Sequence, residues 1–368
     1  MRHHENDLML ELDPASVRSI LIVRMSALGD VVHVLPALEA LRAIYPRARV
    51  SWLVESLGQA ILEGHPHLDR VFVVPRQRWK RELRSPRRWA AVAGEAFRLA
   101  RALRRERFDL VIDFQGNLRG AVSILVAVGR ESLGFHRRNL TELGAGLFTK
   151  HRARFVPGRT SKVDKNLALV RELGYEGPCP RGILQTREGD RGWAASLLRA
   201  LPGSGPAIVI HPAVSRFGEL KRWPVERYRA LIDLLRERHD ARVLVTWGPG
   251  ERSIAEAVGR PTVLAEDTDL LRFAALLEAA DLVIAADTGA LPIASVLGTP
   301  SVGIFGPKDP VVYAPRPSSG EVVKSTAPCS PCSLRVCEHK ICMTLITPEA
   351  VLEAAGRALA AGRCLVPT

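Results

Sequence analysis

The sequence predicts an α/β protein of two halves, each built on a parallel sheet. Three observations predict it. Short aliphatic or β-branched runs alternate with helical stretches along the whole chain. A stretch rich in Gly, Pro and Arg, from Tyr175 to Gly189, interrupts the alternation midway, and 368 residues exceed one average domain. The natural division is residues 1–180 and 181–368.

The chain opens with Ile20 to Val23, four apolar residues that read as a buried strand. Ser26 to Gly29 make a small-residue turn, and from Val31 the apolar spacing is helical. Val50 to Val54 and Val71 to Val74 are further strands, with a helix near Leu57 to Leu62 between them. Arg76 to Arg107 is dense in arginine and merges into a helix whose apolar face carries Trp89, Val92, Phe97, Leu99 and Leu103. Asp109 to Phe114 is a strand, Gln115 to Gly120 a loop and Ala121 to Val128 an apolar helix, repeating the opening design. Ser132 to Lys150 reads as irregular and basic, and Lys165 to Leu173 as a closing helix. In the second half, strands are expected at Ala207 to Ile210, Arg242 to Thr246, Leu282 to Ala286 and Ser301 to Phe305. Helices are expected at Val225 to Arg238, Gly250 to Val258, Leu270 to Ala279 and Leu291 to Leu297.

Lys and Arg number 52 against 39 Asp and Glu, a formal net charge of +13 with a pI near 10.0, which favours an acidic partner. Aromatics are only 5% and do not alternate with basic residues, so a nucleic-acid partner is not expected. Met1 to Ser19 lacks the apolar core of a signal peptide, and no run is long and apolar enough to span a bilayer. A cytoplasmic protein is expected. Six cysteines, four of them crowded near the C-terminus, then read as thiols or a metal site rather than a disulfide framework.

The residues able to carry chemistry lie at strand ends, where open α/β sheets bind ligands. Asp30 sits at the mouth of the first strand-to-helix loop, as a helix cap or as a general base. Lys221 follows the first strand of the second half and is placed to neutralise a diphosphate, with Ser215 the candidate hydroxyl in the same loop. Asp287, Thr288 and Gly289 open a helix, so backbone amides and the Thr288 hydroxyl can cradle a phosphate. Glu251 is a candidate acceptor for ribose hydroxyls or an adenine amino group. The arginines from Arg76 onward fit either a solvated helix face or an anion site. His33 is a packed or capping residue or an acceptor contact, and Trp223 and Trp247 read as packing. Cys329, Cys332, Cys337 and Cys342 are either reduced thiols or four ligands of a structural, non-catalytic zinc.

In order along the chain stand Ser26-Ala27-Leu28-Gly29-Asp30, Asp113-Phe114-Gln115-Gly116, and His211-Pro212 with Lys221-Arg222-Trp223-Pro224. Gly248-Pro249-Gly250-Glu251, Asp287-Thr288-Gly289 and Phe305-Gly306-Pro307-Lys308-Asp309-Pro310 follow. Together they resemble the ADP-heptose:lipopolysaccharide heptosyltransferases, glycosyltransferase family nine, over nearly the whole chain. The resemblance implies a GT-B fold, two Rossmann-like domains facing across a cleft, with the acceptor on the N-terminal domain and the nucleotide sugar on the C-terminal one. The last helix belongs to the second domain or packs back on the first. It further implies metal-independent, inverting transfer of a heptose from an ADP-sugar to the lipopolysaccharide inner core, with no cofactor, peripheral to the inner face of the cytoplasmic membrane.

Carried over by position, Asp30 would deprotonate the acceptor hydroxyl and Lys221 would hold the donor diphosphate. Asp287, Thr288, Gly289 and Ser215 would line the donor pocket, and Glu251 would contact the nucleoside. Arg76, Arg78 and Arg81, with Arg119, would suit an anionic acceptor of the Kdo-lipid A type. One departure is Pro292, where the family usually has a histidine. Proline supplies neither imidazole nor amide, which leaves open a different nucleotide-sugar donor or a non-catalytic binding protein. A nicotinamide-dependent oxidoreductase is disfavoured, because Ser26-Ala27-Leu28-Gly29 stands where the glycine-rich fingerprint would be.

Overall fold

A computed structural model describes residues 12–142, 144–212, 214, 216–258, 263–264, 267–314, 320–332, 334 and 336–363. The chain forms two compact units, Met1–Ile183 and Leu184–Thr368. The first contains β1 (Ser19–Val23), α1 (Leu28–Val32), α2 (Leu35–Ile44), β2 (Arg49–Glu55), α3 (Ser56–Leu62) and β3 (Arg70–Val74). It continues through α4 (Arg76–Glu82), α5 (Trp89–Glu106), β4 (Leu110–Asp113), α6 (Leu118–Ala127), β5 (Glu131–Gly134), β6 (His151–Arg152) and α7 (Lys162–Arg171). The second opens with α8 (Glu188–Arg199), β7 (Ala207–His211), α9 (Val225–His239), β8 (Arg242–Val245), α10 (Arg252–Val258), β9 (Val263–Leu264) and α11 (Leu270–Ala279). After these come β10 (Leu282–Ala286), α12 (Ala290–Leu297), β11 (Ser301–Phe305), α13 (Pro310–Tyr313), β12 (Glu321–Lys324), α14 (Ile341–Thr344) and α15 (Pro348–Arg363).

The two sheets share one topology. Their orders are β3-β2-β1-β4-β5-β6 and β12-β11-β10-β7-β8-β9, and every recorded pairing is parallel. Counted within its unit, each sheet has the 3-2-1-4-5-6 order of the doubly wound Rossmann fold, whose strand order reverses between its first and fourth strands. The reversals fall between β1 and β4 and between β7 and β10. That position decides where ligands bind.

Buried parallel strands need helices on both faces, which is why β1, β4, β7, β10 and β11 are buried along their whole lengths. In the first unit Leu21, Val23, Leu53, Phe72, Phe108 and Val111 form one core cluster with Ile124 of α6. In the second, Trp223 and Tyr228 meet edge to face at 4.8 Å beneath Ile208, Ile210 and Ile284. The Trp223 indole N–H donates to the Ile346 carbonyl at 3.0 Å, consistent with a packing residue. The last helix, α15, lies against α9 and the β10, β11 and β12 strands of its own unit.

Several elements differ from the sequence reading. The segment 132–150 is not wholly irregular: β5 runs into its start and β6 follows directly after it, the two forming a parallel edge through backbone pairing that side-chain pattern does not report. Gly189 and Gly192, poor helix formers, hid α8. The α5 face is only partly a core face, since Val92 and Leu103 are buried while Trp89 and Phe97 are exposed.

Candidate active site

At the first reversal point, the loop after β1 meets the loop after β4. Arg24 spans them: Nη1 donates to the Phe114 carbonyl, and Nη2 lies 2.5 Å from Asp30 Oδ2. Gln115 adds a second tie, its Oε1 accepting from the Met25 amide at 2.9 Å. Asp30 stands in the first turn of α1 and accepts from the Ala27 amide at 3.3 Å, so it caps its helix while its other oxygen, Oδ1, receives Lys162 Nζ from α7. Burial is the largest influence on Asp30 and opposes its charge. Arg24 and Lys162 outweigh it and hold the carboxyl well below the usual carboxylate range. His33 is buried, and burial together with Lys162 lowers it to about 4, so it is neutral at pH 7. Neither of its ring nitrogens has a hydrogen-bond partner among the described residues, while its carbonyl accepts from Asn166 of α7 at 3.0 Å.

Asp113, at the end of β4, accepts from the amides of Gln115 at 2.8 Å and Gly116 at 3.2 Å. Burial raises it to about 6 despite those bonds. Gly120 leaves room for this carboxylate, because a Cβ there would sit 2.3 Å from Asp113 Oδ1. Gly120→Ala is therefore expected to destabilise the protein by about 1–3 kcal/mol, as overpacking does. The urea midpoint reads this directly.

The arginines separate. Glu55, the last residue of β2, is buried and pairs with Arg119 at 2.9 Å and Arg76 at 3.6 Å, and Arg119 also reaches the Ser26 hydroxyl at 3.1 Å. Arg119 thus reaches the Asp30 loop, and Arg76 joins it only through Glu55. Arg78 instead pairs with Glu95 of α5, beside the Trp79 indole, and Arg81 is exposed on α4.

The second reversal point carries its own cluster. Lys221 Nζ lies 2.7 Å from Asp287 Oδ2 and donates to the Asp287 carbonyl at 3.2 Å, linking the loop after β7 to the end of β10. Thr288 Oγ1 is buried with no hydrogen-bond partner among the described residues. Such a group is rarely left so in a folded protein. Gly289 is the N-cap of α12, and Pro292 is the third residue of that helix. His211 Nδ1 lies 3.0 Å from the Thr246 hydroxyl, and burial lowers it to about 4. Glu251 accepts from the Gly248 amide at 3.2 Å, and burial raises its pKa against the pull of that bond and of Arg222. Ser215 lies outside the described residues.

The geometry gives the zinc alternative no support. Among the described residues no group of three or more His, Cys, Asp or Glu side chains is placed to hold a metal ion. Cys329, Cys332, Cys337 and Cys342 are free thiols, and burial, with the neighbouring sulfurs, pushes the Cys342 thiol up. Arg24, Lys162 and Glu55 escaped the sequence reading. Only Arg24 left a signal, as a charge directly after a buried strand.

The family model for glycosyltransferase family 9 (heptosyltransferase) matches residues 96–342. Lipopolysaccharide heptosyltransferase 1 of Escherichia coli K12 is 31% identical over 298 residues, 79% of this chain and 88% of its own. The solved structure of E. coli heptosyltransferase WaaC with ADP superposes with a TM-score of 0.72 at 26% identity, covering 92% of this chain and 99% of that one. WaaC with ADP-2-deoxy-2-fluoro heptose gives a TM-score of 0.68 at the same identity and coverage. Matched over two thirds of its length by that family model, and carrying the paired parallel α/β units of the GT-B class, the chain belongs to glycosyltransferase family 9, the heptosyltransferases.

Proposed function

We propose that this protein transfers a heptose from ADP-heptose to the lipopolysaccharide inner core, with inversion and without a metal, Asp30 acting as the base and Lys221 as the cation on the leaving diphosphate. The observation that carries the reading is Asp30 itself, an ionised carboxylate held by Arg24 and Lys162 at the reversal point of the first sheet. Its relatives support the substrates: the E. coli protein is a lipopolysaccharide heptosyltransferase, and WaaC has been solved with ADP and with a fluorinated ADP-heptose.

The first unit holds the acceptor and the second the donor. A hydroxyl attacking the anomeric carbon loses its proton to Asp30, while the C1–O bond to the diphosphate breaks and ADP leaves. Negative charge grows on the diphosphate, and Lys221, the Thr288 hydroxyl and the free amides of α12, gathered at the second reversal point, are the groups assigned to receive it. Glu251 accepts from the nucleoside. Arg76 and Arg119 receive the anionic groups of a Kdo-lipid A type acceptor at the inner membrane face, with Arg78 and Arg81 farther out on α4. Among the described residues no helix is long and apolar enough to cross a membrane.

Release of ADP from ADP-heptose with a heptose-deficient lipopolysaccharide acceptor tests this reading. Turnover supports it and shows that Pro292 is tolerated in α12. ADP-heptose binding without turnover on any acceptor favours a binding protein, and absence of both points to another nucleotide sugar. Lys162→Met adds a finer test. With one of its two cations removed and its burial retained, Asp30 becomes easier to protonate, so the acid limb of kcat/KM moves to higher pH. An unmoved limb would assign control of Asp30 to Arg24 alone.

A further inference from the structure

The charge of the chain is unevenly divided. Residues up to Ile183 hold 31 Lys and Arg against 19 Asp and Glu, a net of +12, whereas the rest hold 21 against 20, a net of +1. The same basic unit carries an apolar stripe left uncovered by the described residues. On α6, Leu118, Val122 and Leu125 recur at helical spacing on one face, each at least half exposed, and Val128 extends the line at the helix C-cap. The opposite face of α6, with Ile124 and Ala127, is in the core, so the helix is apolar both inward and outward, with Arg119 and Ser123 on the flank between. A helix of this kind at an aqueous surface implies a second apolar environment.

The neighbours of the stripe say which one. At the α6 N-terminus, Leu147 continues it: a point one bond from Gly144 lies 3.4 Å from Leu147 Cδ1 and 3.7 Å from Leu118 Cδ2. Leu147 shares a surface hollow with Arg137 and Arg152. At the other end, Val128 shares a hollow with Arg104, Arg107 and Arg130. Five arginines against two carboxylates, Glu142 and Asp109, therefore bracket an apolar line about 15 Å long, ten residues at 1.5 Å each. Bilayer interfaces take apolar side chains into the acyl boundary while cations meet anionic headgroups above it. The net basic excess at both ends, on a unit of net charge +12, favours an anionic bilayer over a protein partner.

We infer that the exposed face of α6, with Leu147 and the arginines at its two ends, is a docking surface for an anionic lipid bilayer. The inference deepens the membrane-acceptor reading above and rests on it for its purpose, but its test needs no acceptor. The full-length protein is floated with vesicles of phosphatidylglycerol and phosphatidylethanolamine, and with phosphatidylcholine alone, at low and high salt. Binding is expected to the anionic vesicles only and to weaken with salt. Val122→Asp with Leu125→Asp is expected to reduce it at least about tenfold, and Arg107→Glu with Arg130→Glu to reduce it comparably, since each basic residue near such a surface contributes about fivefold.

Retained binding in the aspartate variant overturns the inference. So does equal binding to phosphatidylcholine, or a wild-type oligomer that the aspartate variant dissociates without loss of vesicle binding, which would make the stripe a self-association face. Transfer to a deacylated, lipid-free acceptor is measured in parallel. The aspartate variant should keep wild-type rates there, which also shows that it is folded. Vesicle binding without transfer by the wild type would defeat the proposed reaction and leave the docking surface standing.

Discussion

Asp30→Ala is expected to lower kcat by roughly 10²- to 10⁴-fold, the usual contribution of a positioned general base. ADP-heptose affinity, assigned above to the second unit, should persist in titration calorimetry. The pairing of lost turnover with intact donor binding separates a missing base from a damaged protein. Stability needs its own control, because the substitution leaves Arg24 and Lys162 facing each other without their shared carboxylate. Asp30 is held below its ordinary value, so its stabilising contribution is present above the unfolded carboxylate pKa, near 4, and fades as the pH falls. The melting temperatures of wild type and variant should therefore differ most at neutral pH and converge in acid. A variant that keeps wild-type kcat would remove Asp30 from the chemistry altogether.

Lys221→Ala should weaken ADP-heptose binding by tenfold to somewhat over a hundredfold, the range of one hydrogen bond to a charged group at about 1.5–3 kcal/mol. Asp287 sharpens the expectation. In the native protein its carboxylate is paired with Lys221 at 2.7 Å, and in the variant it presents an uncompensated negative charge to an anionic donor. Part of the loss is then repulsion, and Lys221→Ala combined with Asp287→Ala should bind better than Lys221→Ala alone. Strict additivity of the two losses would show that the residues do not act on one ligand. Lys221→Arg keeps the charge and should retain much of the affinity.

The parts of the protein legible in its sequence are those where one local rule dominates. Ile20 to Val23 reads as a buried strand because a two-sided core demands an apolar run, and the turn to Asp30 reads as a turn because its residues are small. Asp287 to Gly289 opens a helix for equally local reasons. What the sequence conceals is long-range. Lys162 meets Asp30 across 132 residues, and nothing in the spacing of either predicts it. Glu55 ends a strand whose apolar run draws attention away from it, yet it gathers Arg76 and Arg119. Conversely, the arginine run from Arg76 to Arg81 reads as one cluster, but a helix distributes consecutive residues around its axis. Arg76 turns to Glu55 and Arg78 to Glu95. Trp89 and Phe97 show the limit of periodicity: it identifies a face, not what covers it.

Glu55 also acts as a resident competitor for the arginines that it gathers. Any anion approaching Arg119 or Arg76 must outbid a carboxylate already in place, at 2.9 Å in the case of Arg119. A singly charged ion such as chloride offers little beyond what Glu55 supplies. A ligand bearing several acidic groups on one rigid scaffold engages both guanidinium groups at once and prevails through multivalency. If Arg76 and Arg119 receive the acceptor as proposed above, the buried carboxylate sets a threshold that disfavours small ions and favours polyanions.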